Sequence, residues 1–169
     1  RVTPGIAPHA AYSLEPETLM AAVELTREFA APLLIHLAET EDEVGQIAAN
    51  YNKTPPAHLE SIGFLGPNVI AAHAVWLTDA DIDILAAHEV GVVHNPESNL
   101  KLASGVMRLG ELLAAGVATG LGTDGAASNN ELDMCGAMLT APLQQKNVRT
   151  DPTATPAPTI LAMATIGGA

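Results

Sequence analysis

Aromatic side chains are nearly absent from this chain: two Phe, two Tyr and one Trp make up 3% of 169 residues. The core therefore has to be built from Ala, Leu, Val and Ile, and the 48% hydrophobic content supplies them. The length is enough for one domain with a sizeable core. Basic residues are scarce too, with 7 Lys and Arg against 19 Asp and Glu and a net charge of −12. No Lys/Arg cluster is available to follow phosphates, so nucleic acid and anionic membrane surfaces are poor partners. The single cysteine, Cys135, removes any internal disulfide framework and any cysteine-based zinc site. It fits a reducing compartment. No apolar run reaches membrane-spanning length, and no basic-then-apolar layout at the N-terminus marks a signal peptide. A cytoplasmic location is the resulting expectation. The chain opens on Arg1 rather than Met and stops at Ala169 directly after a helix-like stretch, which reads as a piece of a larger protein.

What the chain does have is a repeated pattern. Short apolar runs end in an ionisable residue: Leu33 to His36, Val69 to His73, Gly91 to His94, and Val117 to Asp124. A helix-like segment follows each run. Continuous apolar runs separated by helical periodicity predict buried parallel strands.

Residues 2–8 predict a further short strand leading to His9, with irregular edges because of its prolines. From Pro16, Leu19, Ala22, Val23, Thr26 and Phe29 recur at helical spacing. Residues 40–50 predict an acidic helix, Thr54-Pro55-Pro56 a break, and 57–63 a second short helix. Thr78 with Asp81 three residues on has the form of a capping box for a helix carrying Ile82 and Leu85. Val106, Leu109 and Leu113 mark one helix face, capped by Gly116. A helix is expected from about Asn130 to Lys146, although Pro142 interrupts it. Residues 150–158 read as a linker and 159–166 as the start of another helix, so the division expected is 1–149 and 150–169.

Such βα alternation implies a parallel sheet, either doubly wound or closed as a (β/α)8 barrel, with chemistry at the C-terminal strand ends in both. No glycine-rich phosphate loop follows the first strand, which disfavours the nucleotide-binding doubly wound form. A barrel needs roughly 250 residues, so this chain would supply about its second half.

If those strand ends share one rim, His36, Glu39, His73, His94 and Asp124 converge. A neutral imidazole is a good zinc ligand and a nearby carboxylate can shuttle protons. The competing readings are plain ones. His36 and Glu39 could be a loop histidine and a solvated glutamate, since Glu41, Asp42 and Glu43 form an acidic surface run. His73 could be a core histidine beside Trp76. His94, followed by the turn formers Asn95, Pro96, Ser98 and Asn99, is read as bracing its loop by hydrogen bonds. Asp124 lies among glycines, where turn residues are common, but follows a strand; Ser128 and Asn129 are read as caps of the next helix. His58 and His88 are assigned to the surface, and Cys135 and the methionines to the core. Taken together, histidines and an aspartate on successive strand ends suit a divalent ion with N/O ligands, zinc first.

Four ordered motifs carry a resemblance: His-Leu-Ala-Glu-Thr at 36–40, Ala-His-Ala-Val-Trp-Leu at 72–77, His-Asn-Pro-Glu-Ser-Asn-Leu-Lys-Leu-Ala-Ser-Gly at 94–105, and Gly-Thr-Asp-Gly-Ala-Ala-Ser-Asn-Asn-Glu-Leu-Asp-Met at 122–134. They resemble the amidohydrolase superfamily, and within it most of all the 5-methylthioadenosine/S-adenosylhomocysteine deaminases; guanine-type deaminases and triazine chlorohydrolases are similar at the same strand ends. The resemblance implies an α/β fold, a (β/α)8 barrel of which strands 4 to 8 are present. It implies hydrolytic deamination of an adenine-type nucleoside with release of ammonia. One divalent ion is implied, zinc or alternatively iron, held by His36 and Asp124. Glu39 would shuttle protons, His73 would orient the attacking water, Asp124 would accept its proton, and His9 would contact the purine, with Glu39 and Asp124 also facing the substrate. The superfamily's His-x-His pair on the first strand has no counterpart here. A guanine or triazine hydrolase, or a non-catalytic half-barrel, are the alternatives. Exposed strand edges at both ends would favour association, a homo-oligomer included.

Overall fold

The structure, a computed structural model, describes residues 3–168. It opens on the expected helix α1 (Pro16–Phe29), whose first turn carries Pro16 and whose end passes through the left-handed Ala30. Leu19, Ala22, Val23 and Thr26 are buried, whereas Phe29 is 64% exposed and lies off the packed face. Strand β1 (Leu33–Leu37) follows. Its odd positions Leu33, Ile35 and Leu37 pack into the helical layer, while Leu34 and His36 face the other side of the sheet. Each fully buried aliphatic side chain of this kind contributes about 1.5–3 kcal/mol.

The remaining elements are α2 (Glu41–Tyr51), α3 (Pro55–Ser61), β2 (Val69–His73), α4 (Asp79–Ala87), β3 (Gly91–His94), α5 (Pro96–Lys101), α6 (Leu109–Ala114), β4 (Thr119–Leu121), α7 (Ala126–Asn129), α8 (Met134–Arg149) and α9 (Ala157–Met163). The four strands lie in chain order, β1-β2-β3-β4, and every pairing is parallel. Residues before α1 add bridges from Ile6 to Leu33 and from Ala10 to His36, also parallel, in place of the full strand expected over 2–8; residue 2 lies outside the described residues. Sequential parallel strands with helices on one face form an arc of a (β/α)8 barrel. The core, including Leu19, Ile47, Phe64, Leu85, Leu109 and Leu112, fills the space between strands and helices.

Several local expectations are corrected by packing. Thr54-Pro55-Pro56 opens a helix instead of interrupting the chain: the Thr54 hydroxyl accepts the Ala57 N–H, and the prolines occupy the first turn, where no N–H is needed. The segment around Val106 divides into α5 and α6, with Met107 buried between them. Gly116, at φ 77°, ends α6 as expected. Helix α8 starts at Met134, capped by Asp133, and runs unbroken through Pro142. Cys135 is exposed near its start instead of in the core. The Thr78/Asp81 capping box is present. His58 is buried and stacks on Tyr51 at 3.9 Å, whereas His88 is only half-buried and pairs with Glu60. Among the described residues, no helix is long and apolar enough to cross a membrane.

Candidate active site

His36 sits on the inner face of β1, one residue from its end. Its Nδ1 lies 2.7 Å from the His9 carbonyl oxygen, which can only accept, so Nδ1 carries the hydrogen and, in a neutral ring, Nε2 carries the lone pair. The chain then turns through Ala38 at φ 47° and presents Glu39. Thr40 caps α2, and the third helical residue, Glu43, turns its carboxylate back onto the strand end. Glu43 is therefore 2% exposed, not part of an acidic surface run. Burial pushes its carboxyl above the usual value, with the Glu39 and Ala38 N–H groups acting in the opposite sense.

His73, at the end of β2, is 1% exposed and has φ 74°. Left-handed backbone at a non-glycine residue costs on the order of 1–3 kcal/mol and clusters at functional sites. It breaks the strand alternation and turns the ring toward the rim. Nε2 then lies 3.7 Å from Glu39 Oε2 and 3.9 Å from Asp124 Oδ2, and the ring stacks on His36 with centroids 5.6 Å apart. Asp124 is itself left-handed, at φ 61°. Its Oδ1 accepts the Gly125 N–H, and its Oδ2 accepts the hydroxyls of Ser98 at 2.7 Å and Ser128 at 2.8 Å. Partial burial pushes this carboxyl up, but the bonds from Ser98, Gly125 and Ser128, with His73 alongside, outweigh it and hold the carboxyl below the usual range.

His9 lies at the rim, its ring 5.1 Å from that of His36 and its Nδ1 2.7 Å from Ser13 Oγ. His9, His36 and Asp124 line one cavity of about 470 Å³ together with Ala72, Asn95 and Gly122. A second cleft of about 510 Å³ lies near Thr26, Pro32 and Asn68, at the opposite ends of the strands, and has only Arg27 as an ionisable group. It offers no comparable chemistry.

The structure thus brings His9, His36, Glu39, His73 and Asp124 to one rim. His94 does not join them. It is wholly buried, and neither ring nitrogen finds a partner among the described residues, so it fills space where a hydrogen-bonding brace was the expectation. Burial, with His73 nearby, lowers its pKa to about 4. Ser128 and Asn129 do not cap α8. Ser128 binds Asp124, and Asn129 donates to the Thr123 carbonyl and to Glu97. Glu43, Ser98, Asn99 and Ser104 are not among the site residues expected from the sequence, where Glu43 reads as surface charge and Ser98 and Asn99 as turn formers. Only the Thr40/Glu43 spacing, a capping-box form, offered a signal for any of them. Ser104 Oγ reaches Glu39 Oε1 at 3.4 Å, and the Ser104 carbonyl accepts the Trp76 indole N–H.

The donor types suit a divalent ion with N/O ligands: an imidazole whose second nitrogen is tied to a carbonyl, and an ionised carboxylate on the same cavity. Two such donors are half of a four-coordinate set. Among the described residues, no group of three or more His, Cys, Asp or Glu side chains could hold a metal by itself.

Comparison with known proteins bears on the family and the fold. Residues 1–169 match the amidohydrolase family. The 5-methylthioadenosine/S-adenosylhomocysteine deaminase of Syntrophobacter fumaroxidans is 49% identical over 164 residues, 97% of this chain and 37% of that protein. A crystal structure of an adenosine deaminase from Xanthomonas campestris with bound zinc superposes with a TM-score of 0.93 at 41% identity, covering 97% of this chain and 37% of that one. The atrazine chlorohydrolase TrzN of Arthrobacter aurescens, complexed with zinc, gives a TM-score of 0.87 at 29% identity, over 95% of this chain and 36% of that one. The chain therefore spans under two-fifths of the length of these relatives.

Proposed function

The chain belongs to the amidohydrolase family, and from that premise we propose that the full protein hydrolytically deaminates an adenine-type nucleoside such as 5-methylthioadenosine or S-adenosylhomocysteine. The observation that carries the proposal is the convergence of His73 Nε2 with the Glu39 and Asp124 carboxylates, at 3.7 and 3.9 Å, beside His36.

His36, through Nε2, and Asp124 would contribute two ligands to a zinc ion, iron being the alternative; when bound, such an ion brings the pKa of water close to neutrality. The remaining work falls to protein groups. Asp124, ionised and held by three donors, accepts a proton from the attacking water. His73 aims that water by a hydrogen bond at Nε2. Glu39, starting as the acid, delivers a proton to the ring nitrogen beside the reacting carbon as the oxygen adds to C6. The proton taken up by Asp124 then passes to the amino group, which leaves as ammonia while the C6 hydroxyl returns a proton to Glu39. His9 reaches the purine from the rim.

Hydrolysis of guanine or of a triazine would use the same centre, and a non-catalytic half-barrel would use none of it. The test is to supply full-length metal-loaded protein with 5-methylthioadenosine, S-adenosylhomocysteine, guanine and atrazine, and to follow ammonia and chloride. Ammonia from the adenine nucleosides, lost in Glu39→Gln and Asp124→Asn, is the expected result. Turnover confined to guanine or atrazine, or no turnover at all, would overturn the proposal.

A further inference from the structure

Helix α5 is one and a half turns long and follows β3 directly, yet its residues reach into three neighbouring segments. Glu97 accepts from Asn129, Ser98 donates to Asp124 Oδ2 at 2.7 Å, Asn99 Oδ1 lies 2.8 Å from His73 Nδ1, and Lys101 binds the Ala127 carbonyl and Asn130. Ser98 and Asn99 are both wholly buried. Consecutive positions on a helix point about 100° apart. This is why two adjacent residues can meet two groups that come from different strands, each 26 residues away in sequence.

We propose that the first turn of α5 is the positioning element of the reaction. In this reading Asn99 accepts the Nδ1 hydrogen of His73, so that the lone pair of Nε2 faces the space between Glu39 and Asp124, while Ser98 fixes the Asp124 carboxylate across the same space. The inference deepens the deaminase reading and rests on it for its kinetic consequences, but its structural core does not. An imidazole that donates at Nδ1 must accept at Nε2 when neutral. The amide of Asn99 therefore decides whether His73 receives a hydrogen bond from water or gives one. A side chain at this position with no acceptor would leave both the ring's rotation and its tautomer undetermined. Asp124 is less dependent on α5, because Ser128 and the Gly125 N–H still hold it when Ser98 is shortened.

The experiment uses full-length metal-loaded protein with 15N-labelled histidine. Long-range nitrogen–proton spectra should show His73 protonated on Nδ1 and bare on Nε2, and Asn99→Leu should abolish that pattern. In turnover, Asn99→Leu should lower kcat about 100-fold, the scale of a misplaced catalytic group, with KM changed less than about threefold. Asn99→Asp keeps an acceptor oxygen and should recover most of the loss. Ser98→Ala should cost less than about tenfold, since two donors to Asp124 remain. A His73 ring protonated on Nε2, or on both nitrogens, overturns the proposal, as does equal loss in Asn99→Leu and Asn99→Asp. If Asn99→Leu does not fold, the wild-type spectrum and Asn99→Asp still decide. If the wild type deaminates nothing, the functional reading fails while the spectrum still judges the role of Asn99.

Discussion

The Glu43 carboxylate accepts the backbone N–H of Glu39 at 2.8 Å with one oxygen, and that of Ala38 at 2.8 Å with the other. A residue on the first turn of a helix thereby clamps the turn that precedes it, where Ala38 is left-handed and Glu39 swings toward the rim. The carboxylate does for the strand end what a capping box does for a helix start, one and two residues upstream of the N-cap Thr40.

Removing that clamp should be felt twice. Glu43→Ala strands two backbone donors, one of them fully buried, at about 1–3 kcal/mol each. Denaturant unfolding should show a loss of about 2 kcal/mol or more, and kcat should fall with it because Glu39 is no longer aimed. Unchanged turnover would detach Glu43 from Glu39 function.

The same carboxyl has a pH signature. Its pKa is raised above 4.5, chiefly by burial. The folded state therefore binds the proton more tightly than the unfolded chain does, and this stabilisation is complete below 4.5 and is lost as pH rises through the folded value. Glu43→Gln should flatten the stability–pH curve in that window, measured by unfolding at a series of pH values.

His94 gives the opposite slope. Its pKa falls from 6.5 to about 4 on burial. Above 6.5 both states are neutral; as pH drops from there toward about 4, the unfolded chain takes up the proton and the folded one does not. Stability should decline across that interval by roughly 3 kcal/mol, at about 1.4 kcal/mol per pH unit. His94→Leu, which removes two nitrogens that have no partners among the described residues, should fold and should lack this decline.

Gly122 tests how tightly the rim is packed. A methyl group there would run into Asn95 Oδ1 and come within 2.8 Å of Val93 Cγ1. Gly122→Ala should displace Asn95 into the cavity, or shift the strand end that carries Asp124, and lower kcat/KM at least tenfold, on the scale of a misplaced site group. Wild-type kinetics in that variant would show the rim to be slack.

Loss and return of metal provides the last check. Chelation should abolish deamination and added zinc should restore it. His36→Ala should weaken metal retention on dialysis, because it removes a proposed ligand whose other nitrogen is already held by the His9 carbonyl.

Much of this molecule is readable along the chain. The strands at 33–37, 69–73 and 91–94, the helix from Pro16 and the Thr78/Asp81 box follow from periodicity and from residues interacting within four positions of one another. Even the shared rim of His36, Glu39, His73 and Asp124 follows, once parallel strands in chain order are accepted, because all such strands end on the same side. The fate of similar residues does not follow. Glu41, Asp42 and Glu43 are alike as sequence, and only Glu43 is buried. His58 and His88 both lie at or near helix ends, and only His58 is buried, against Tyr51. Periodicity also gave no reason to suspect left-handed backbone at His73 and Asp124. Local pattern therefore determined which segments are strand and helix, since propensity and capping act between near neighbours. Tertiary packing alone decided which polar groups lose water and which partners hold them, because the atoms that desolvate His94, bind His73 through Asn99 and bind Asp124 through Ser98 arrive from distant parts of the chain.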